Sequence, residues 1–321
     1  MTVAPVLVEM TRAGLIESVH RGHAVLLDSN GKIEKTWGNP QNPFYPRSAI
    51  KLAQATAMLQ SSAKLENEKL AISCASHSGE DIHIELVTKM LEDIGLTPES
   101  LQCPPDLPLD SATQISYIAR GLKPARVAMN CSGKHAGMLS ACVASSWPTS
   151  NYLSMDHPLQ KEIIKTIEEL GNEKIFKSTQ DGCGAPLHAI SLIALARIAQ
   201  SSVLADIQTS QRKVVDAARK FPIYNSGHNR DVAEFMQNVP GFFTKEGAEG
   251  VHVGALPDGR SFAVKFEDGS MRPRASFVVA VLKYWGISQD ILEKLSNLEK
   301  IDVLGGGKPV GSIKALPIER N

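Results

Sequence analysis

Strand-type runs stand at both ends of this chain, and helix-periodic runs fill nearly everything between them. That order constrains the fold more than any single motif does. Val6-Leu7-Val8-Glu9-Met10 reads as a strand. His23-Ala24-Val25-Leu26-Leu27-Asp28 and Lys32-Ile33-Glu34-Lys35-Thr36-Trp37 follow, joined by Ser29-Asn30-Gly31. Asn-Gly between β-type runs predicts a hairpin. Near the other end, strands over 251–256 and 261–267 flank the turn Pro257-Asp258-Gly259-Arg260, and an apolar helix begins at Ala275. Between them, periodicity predicts helices over 49–64, 80–94, 111–121, 134–144, 158–170, 186–200, 209–220 and 229–238. Two ends that both supply strands close one sheet. The expected class is therefore mixed α/β (α+β), a largely antiparallel sheet from the N- and C-terminal segments with an inserted helical lobe. One domain over 1–321 is expected, with a sheet lobe at about 1–47 and 248–321 and a helix-rich lobe at about 48–247. Its active site would lie at the seam, where pockets commonly form.

With 321 residues, 43% of them apolar, the chain can bury a core of that size. The 34 basic and 34 acidic residues cancel and form no like-charge block, which argues against nucleic acid or an anionic membrane as partner. Met1 to Met10 has no basic segment followed by an apolar core, and no apolar run reaches spanning length. Five cysteines, Cys74, Cys103, Cys131, Cys142 and Cys183, cannot all pair with one another. A reducing, cytoplasmic setting is the expectation. In that setting the sequon Asn130-Cys131-Ser132 carries no sugar. Gly305-Gly306-Gly307-Lys308 is not a phosphate loop, because Pro309 follows where Ser or Thr should stand and no helix opens.

The chemistry concentrates in four clusters. Pro46-Arg47-Ser48-Ala49-Ile50-Lys51 leads a helical run, and Ser48 and Lys51, three apart, share a face. A serine needs a base to become a nucleophile, and a lysine serves when burial or a neighbouring cation disfavours its charge. A helix-start serine with a surface lysine is the plain alternative. Ser76-His77-Ser78-Gly79-Glu80 reads as a capping turn or as a loop that points one hydroxyl into a cleft. Asn130-Cys131-Ser132-Gly133-Lys134-His135-Ala136-Gly137-Met138 suits a loop that hugs a polar ligand with its backbone. In Gln180-Asp181-Gly182-Cys183-Gly184-Ala185-Pro186, Asp181 could take a substrate ammonium. Cys131, Lys134 and Cys183 also form a metal candidate, since two thiolates suit zinc, although lysine must lose its proton to ligate. Lys265, inside the apolar run Phe262-Ala263-Val264-Lys265-Phe266, is either a cleft amine or part of a solvated edge.

This order of hairpin, loop, Ser-x-x-Lys helix, helical insertion and lysine-bearing strand resembles serine β-lactamases and penicillin-binding enzymes. Lys265-Phe266-Glu267 departs from their Lys-Thr-Gly strand. A closer resemblance is to the L-asparaginase II family of the rhizobial type, also called class 3. It is carried by Pro46-Arg47-Ser48-x-x-Lys51, Cys74-Ala75-Ser76-His77-Ser78-Gly79-Glu80, the 130–138 run and Asp181-Gly182-Cys183-Gly184-Ala185-Pro186. The resemblance implies a serine β-lactamase-like fold, a homodimer, and hydrolysis of L-asparagine to L-aspartate and ammonia. It implies two Ser-Lys pairs, Ser48/Lys51 and a loop serine with Lys265; Ser76 is favoured over Ser78 by its place before His77. It also implies Zn²⁺ on Cys131, Lys134 and Cys183, near the substrate and not strictly required. Ser48 would attack the amide carbon with Lys51 as base, while Arg47, Ser78, His135 and Asp181 hold the substrate. A serine-dependent glutaminase, a β-lactamase-like acyl hydrolase and a non-catalytic amino-acid-binding protein are the competing readings.

Overall fold

The structure, a computed structural model, describes residues 3–319. The two residues at each end of the expected 1–321 span lie outside the described residues. The N-terminal end supplies β1 (Val6–Arg12), β2 (Leu15–Leu27) and β3 (Ile33–Trp37). A separate hairpin holds β4 (Lys177–Gln180) and β5 (Pro186–Ala189). The C-terminal end supplies β6 (Phe243–Gly247), β7 (Val251–Ala255), β8 (Ser261–Phe266), β9 (Lys300–Gly305) and β10 (Lys308–Ala315). The main sheet runs β6-β7-β8-β2-β1-β10-β9, with β3 also paired to β2, and all its pairings are antiparallel.

A 3-10 turn, Arg47–Ile50, leads into α1 (Lys51–Gln60). Next come α2 (Asn67–Ser73), α3 (Asp81–Glu92), α4 (Ser111–Ala119) and α5 (Ser132–Ala144). The inserted lobe ends with α6 (Pro158–Gly171), α7 (Leu192–Leu204), α8 (Ser210–Lys220), α9 (Pro222–Asn225) and α10 (Asp231–Asn238). Between β8 and β9 lie α11 (Arg274–Tyr284), α12 (Gln289–Lys294) and α13 (Ser296–Glu299). None of the helices among the described residues is long and apolar enough to cross a membrane.

Side-chain alternation along the strands makes the sheet a wall between two cores. Val25 and Leu27 face the helical lobe, whereas Ala24 and Leu26 face α11. Val253 and Ala263 join the first core, and Phe262, Val264 and Phe266 join the second. On the helical side, α1 packs against α5, α6 and α8 and is buried from Lys51 through Met58. A helix covered on all sides must be apolar nearly all round, as the Ala53, Ala55 and Ala57 series is.

The expected class holds: both chain ends build one antiparallel sheet around an inserted helical lobe. Several boundaries differ. The sheet's C-terminal part starts at Phe243, ahead of the expected 248. The helix expected over 186–200 begins only at Leu192, because Pro186–Ala189 pairs with β4 and Ser191 caps the helix by accepting from the Ala194 amide at 3.0 Å. The helix expected over 134–144 starts two residues earlier, at Ser132, so the loop part of the 130–138 run ends at Cys131. Gly306 and Gly307, at φ 56° and 79°, turn the β9–β10 hairpin.

Candidate active site

Ser48 sits half-buried in the 3-10 turn, directly after a residue in an uncommon conformation. Arg47 has φ 51°, a left-handed geometry that costs a non-glycine residue on the order of 1–3 kcal/mol. Its side chain is fixed from another loop, with Nε donating to Asp181 Oδ1 at 2.6 Å. The Gly182 amide donates to the same oxygen at 2.8 Å. Arg47, Asp181 and Gly182, with Tyr45, Glu249 and Lys265, line a cleft of about 500 Å³ next to the Ser48 turn.

Three residues per turn in a 3-10 segment place Ser48 and Lys51 on one face. The Lys51 amine, however, reaches further inward. Nζ donates to Ala75 O at 2.5 Å and lies 3.1 Å from Ser76 Oγ and 3.0 Å from Cys131 Sγ. Lys51 is 1% exposed and Ser76 5%. A second lysine meets the same hydroxyl: Lys245 Nζ is 3.1 Å from Ser76 Oγ and 2.9 Å from Glu246 Oε1. Burial lowers the Lys245 pKa from its usual value, Glu246 opposes that shift, and Lys51 adds to it. For Glu246, burial would raise the carboxyl, but Lys245, Arg230 and Arg274 outweigh it and hold it well below the usual range.

The pairing of a loop serine with Lys265 is thereby corrected: the lysine on Ser76 is Lys245. Strand register explains the difference. Lys245 pairs with Val253 and Val253 with Ala263, while Lys265 pairs with Val251, itself paired to Gly247. Both lysines face the helical lobe, but Lys265 lies two strands further in, about 10 Å across the sheet, and one row toward the strand end. Edge strand β6 packs most extensively on the Ser48 turn, with β7 behind it. There Gly247 comes so close that a Cβ would stand 2.4 Å from Pro46 O. Lys265 instead donates to the carbonyls of Glu249 and Phe266 at the rim of the cleft.

Of the two loop serines, Ser76 takes the lysines. Ser78 turns away against Gly227, and its buried hydroxyl has no partner among the described residues. His77 is neutral by its bonds: Gly79 N–H donates to Nδ1, Ser132 Oγ donates to Val127 O, and Nε2 therefore donates to Ser132. His135 is fully buried and does not line the cleft mouth. The Gln102 amide donates to the Tyr152 hydroxyl at 2.9 Å, which leaves that hydroxyl's hydrogen for His135 Nδ1 at 2.7 Å. Tyr152, Lys245 and Glu246 escape the sequence reading, although a lysine two residues before a glycine in a strand-length run, Lys245-Glu246-Gly247, was a usable signal.

Cys131, Lys134 and Cys183 do come together, with Lys134 Nζ 2.9 Å from Cys183 Sγ. Hydrogen bonding to Cys131 outweighs burial and, with Lys134 and His135 alongside, holds the Cys183 thiol well below its usual range. The Cys131 thiol is held up by the Cys183 contact and by burial. Burial would lower Lys134, but Cys183 and Cys131 hold it above the usual lysine value. Among the described residues no group of three His, Cys, Asp or Glu could hold a metal. Two sulfurs and one amine at a single point nevertheless fit zinc, as three ligands with a fourth position open.

No curated protein matches the chain. Similar solved structures include Mglu in its native form, at 14% identity over 84% of this chain and 66% of that chain, with TM-score 0.47. Mglu in its tris and glutamate form has 13% identity over 92% and 62%, with TM-score 0.42. A β-lactamase from Mycobacterium bovis has 16% identity over 83% and 95%, with TM-score 0.44. The chain thus spans less than two thirds of the Mglu chains it matches, and no functional inference rests on these likenesses. The family model for L-asparaginase II matches residues 8–315, nearly all of the described chain, and the chain belongs to that family of amidohydrolases.

Proposed function

We propose that the protein hydrolyses the side-chain amide of L-asparagine to L-aspartate and ammonia through an ester on Ser48. The observation that supports this most is the convergence of Lys51 and Lys245 on Ser76 Oγ, behind the Ser48 turn and beside the Arg47–Asp181 pair. Arg47 would take the substrate α-carboxylate. Asp181 Oδ1 is occupied by Arg47 and Gly182, which leaves Oδ2 for the α-ammonium. The amide then points inward. Ser48 Oγ bonds to the amide carbon as its proton passes to Lys51, acting as a neutral amine. The C–N bond breaks, the nitrogen takes a proton from the lysine–serine relay, and ammonia leaves. Water cleaves the ester by the reverse proton path, giving aspartate and free Ser48.

Zinc, when bound by Cys131, Lys134 and Cys183, would supply a fixed positive charge beside the substrate. Because Lys134 and the Cys131 thiol must both give up their protons to ligate, zinc binding should release protons and tighten as pH rises. Chelation should raise KM more than it lowers kcat. Gently purified protein without zinc, with Cys131→Ala fully active, would rule the site out.

Ammonia release from asparagine and from glutamine tests the main reading. Asparagine should win on kcat/KM, and Ser48→Ala should lose nearly all turnover while still binding asparagine. Release from glutamine alone would replace the substrate and keep the chemistry. An acyl label on Ser76 or Cys131 in place of Ser48 would overturn the mechanism.

A further inference from the structure

Two buried lysines share one hydroxyl, and among the described residues only one of them has a carboxylate beside it. Lys245 Nζ meets Glu246 Oε1 at 2.9 Å, and Arg230 Nη2 reaches the same oxygen at 3.3 Å. Glu246 is 2% exposed and does not line the cleft. Its other oxygen, Oε2, is buried without a partner among the described residues. This carboxylate is therefore neither solvated nor spent on the backbone, and the closest charge to it is the lysine that touches Ser76.

We propose that Glu246 is a positioning residue that acts through Lys245, holding it as the ammonium that donates to Ser76 so that Lys51 stays the neutral base. The proposal rests on the amidohydrolase reading and adds a residue to it. With Lys245 charged, its N–H donates to Ser76 Oγ, the Ser76 hydrogen is left for the leaving nitrogen, and Lys51 keeps its one lone pair for the Ser48 proton. Without a counter-charge, two amines 3.1 Å from the same oxygen would compete for the role of donor.

The groups facing Lys245 are few. Lys51 comes from α1, the Cys74 thiol follows α2, Arg230 precedes α10, Glu246 is its strand neighbour and His252 lies on β7. His252 is neutral by its bonds: Arg274 donates to Nδ1 at 3.2 Å, while Nε2 donates to Thr244 Oγ1, whose hydrogen goes to Val253 O. Glu246 is thus the carboxylate that sets the charge of Lys245, and Arg230 weakens it by sharing the oxygen.

The test is the pH profile of ammonia release by wild-type protein, Glu246→Gln, Glu246→Asp and Arg230→Gln. Glu246→Gln should lower kcat roughly a hundredfold with KM within about twofold, and shift the alkaline limb of kcat to lower pH. Glu246→Asp keeps the charge and should recover most of kcat. Arg230→Gln removes a competing cation at a partly exposed position, so its alkaline limb should shift the opposite way, to higher pH. That opposite shift decides the matter even where Glu246→Gln fails to fold. A Glu246→Gln protein with wild-type kcat and limb would overturn the proposal, and so would an unmoved limb in Arg230→Gln. Wild-type protein that releases ammonia from neither amide would instead overturn the amidohydrolase reading, which separates the two failures.

Discussion

Ser76 Oγ is the point where the site's charges must be reconciled, because two ammonium groups cannot both rest on one buried oxygen without strong repulsion. In the proposed mechanism one lysine is the charged donor and the other the neutral base, which makes Ser76 a conduit whose own nucleophilicity is not needed. Ser76→Ala should therefore lower kcat by roughly two to four orders of magnitude while leaving KM nearly unchanged. The same logic separates the two strand lysines. Lys245→Met should cost a comparable share of kcat. Lys265→Met should leave kcat within about twofold and raise KM several-fold, since Lys265 stands at the cleft rim with its hydrogens on two carbonyls. Steady-state kinetics on the three proteins check this, and a Lys265→Met enzyme that loses kcat while Lys245→Met keeps it would reverse the assignment.

The helix that carries Cys131, Lys134 and His135 reaches the site because two glycines let it press onto α2. A Cβ at Gly133 would stand 2.5 Å from Ile72 O, and one at Gly137 would stand 2.7 Å from Ser73 Oγ. In an exposed helix, glycine to alanine would gain about 1 kcal/mol from helix propensity. Here the backbone contact should dominate, so Gly133→Ala should destabilise by about 1–3 kcal/mol, lower Tm by several degrees and displace Lys134 from Cys183. Denaturant unfolding reads the sign, and a more stable Gly133→Ala protein would show that α2 yields easily. This close approach is long-range, which is why sequence places the helix start at 134 while α5 begins two residues earlier, at Ser132. Ser48 and Lys51 are legible because three residues of local chain set their relation. Lys245 is not: in Phe243-Thr244-Lys245-Glu246-Gly247 every residue is buried, and Lys245 and Glu246 neutralise each other, so no polar–apolar alternation marks the strand. Lys265 is misplaced for a related reason. Two lysines in strands that flank β7 look equivalent until register sets one of them beside the Ser48 turn. The short α2 escapes because seven residues hold too few periods to read.

Across the whole molecule, burial of neutral histidines ties stability to pH. Burial lowers His188 to about 4, and burial together with Arg274 lowers His252 to about 3. The unfolded chain binds protons at these positions near pH 6.5, whereas the folded chain does not until much lower pH. Their contribution is therefore fully present above about pH 6.5 and is lost as pH falls toward the folded values. At about pH 5 the loss is roughly 2 kcal/mol for each, or about 4 kcal/mol together, out of a total stability of order 5–15 kcal/mol. Glu246 works in the same direction in a lower window. Its carboxyl, held down by Lys245, Arg230 and Arg274, keeps its share above the ordinary glutamate range near pH 4 and loses it only below. The unfolding midpoint should hence drop markedly between about pH 7.5 and pH 5, before any carboxylate of this kind titrates. Because Thr244 and Arg274 occupy both nitrogens of the His252 ring, His252→Gln should flatten that slope even though it lowers stability at neutral pH. Urea unfolding at the two pH values, with and without the substitution, measures both effects. A midpoint that stays level from about pH 7.5 to pH 5 in the wild-type protein would mean that the fold lets these rings protonate in place, and the sheet-to-helix packing around β7 would then be looser than these contacts describe.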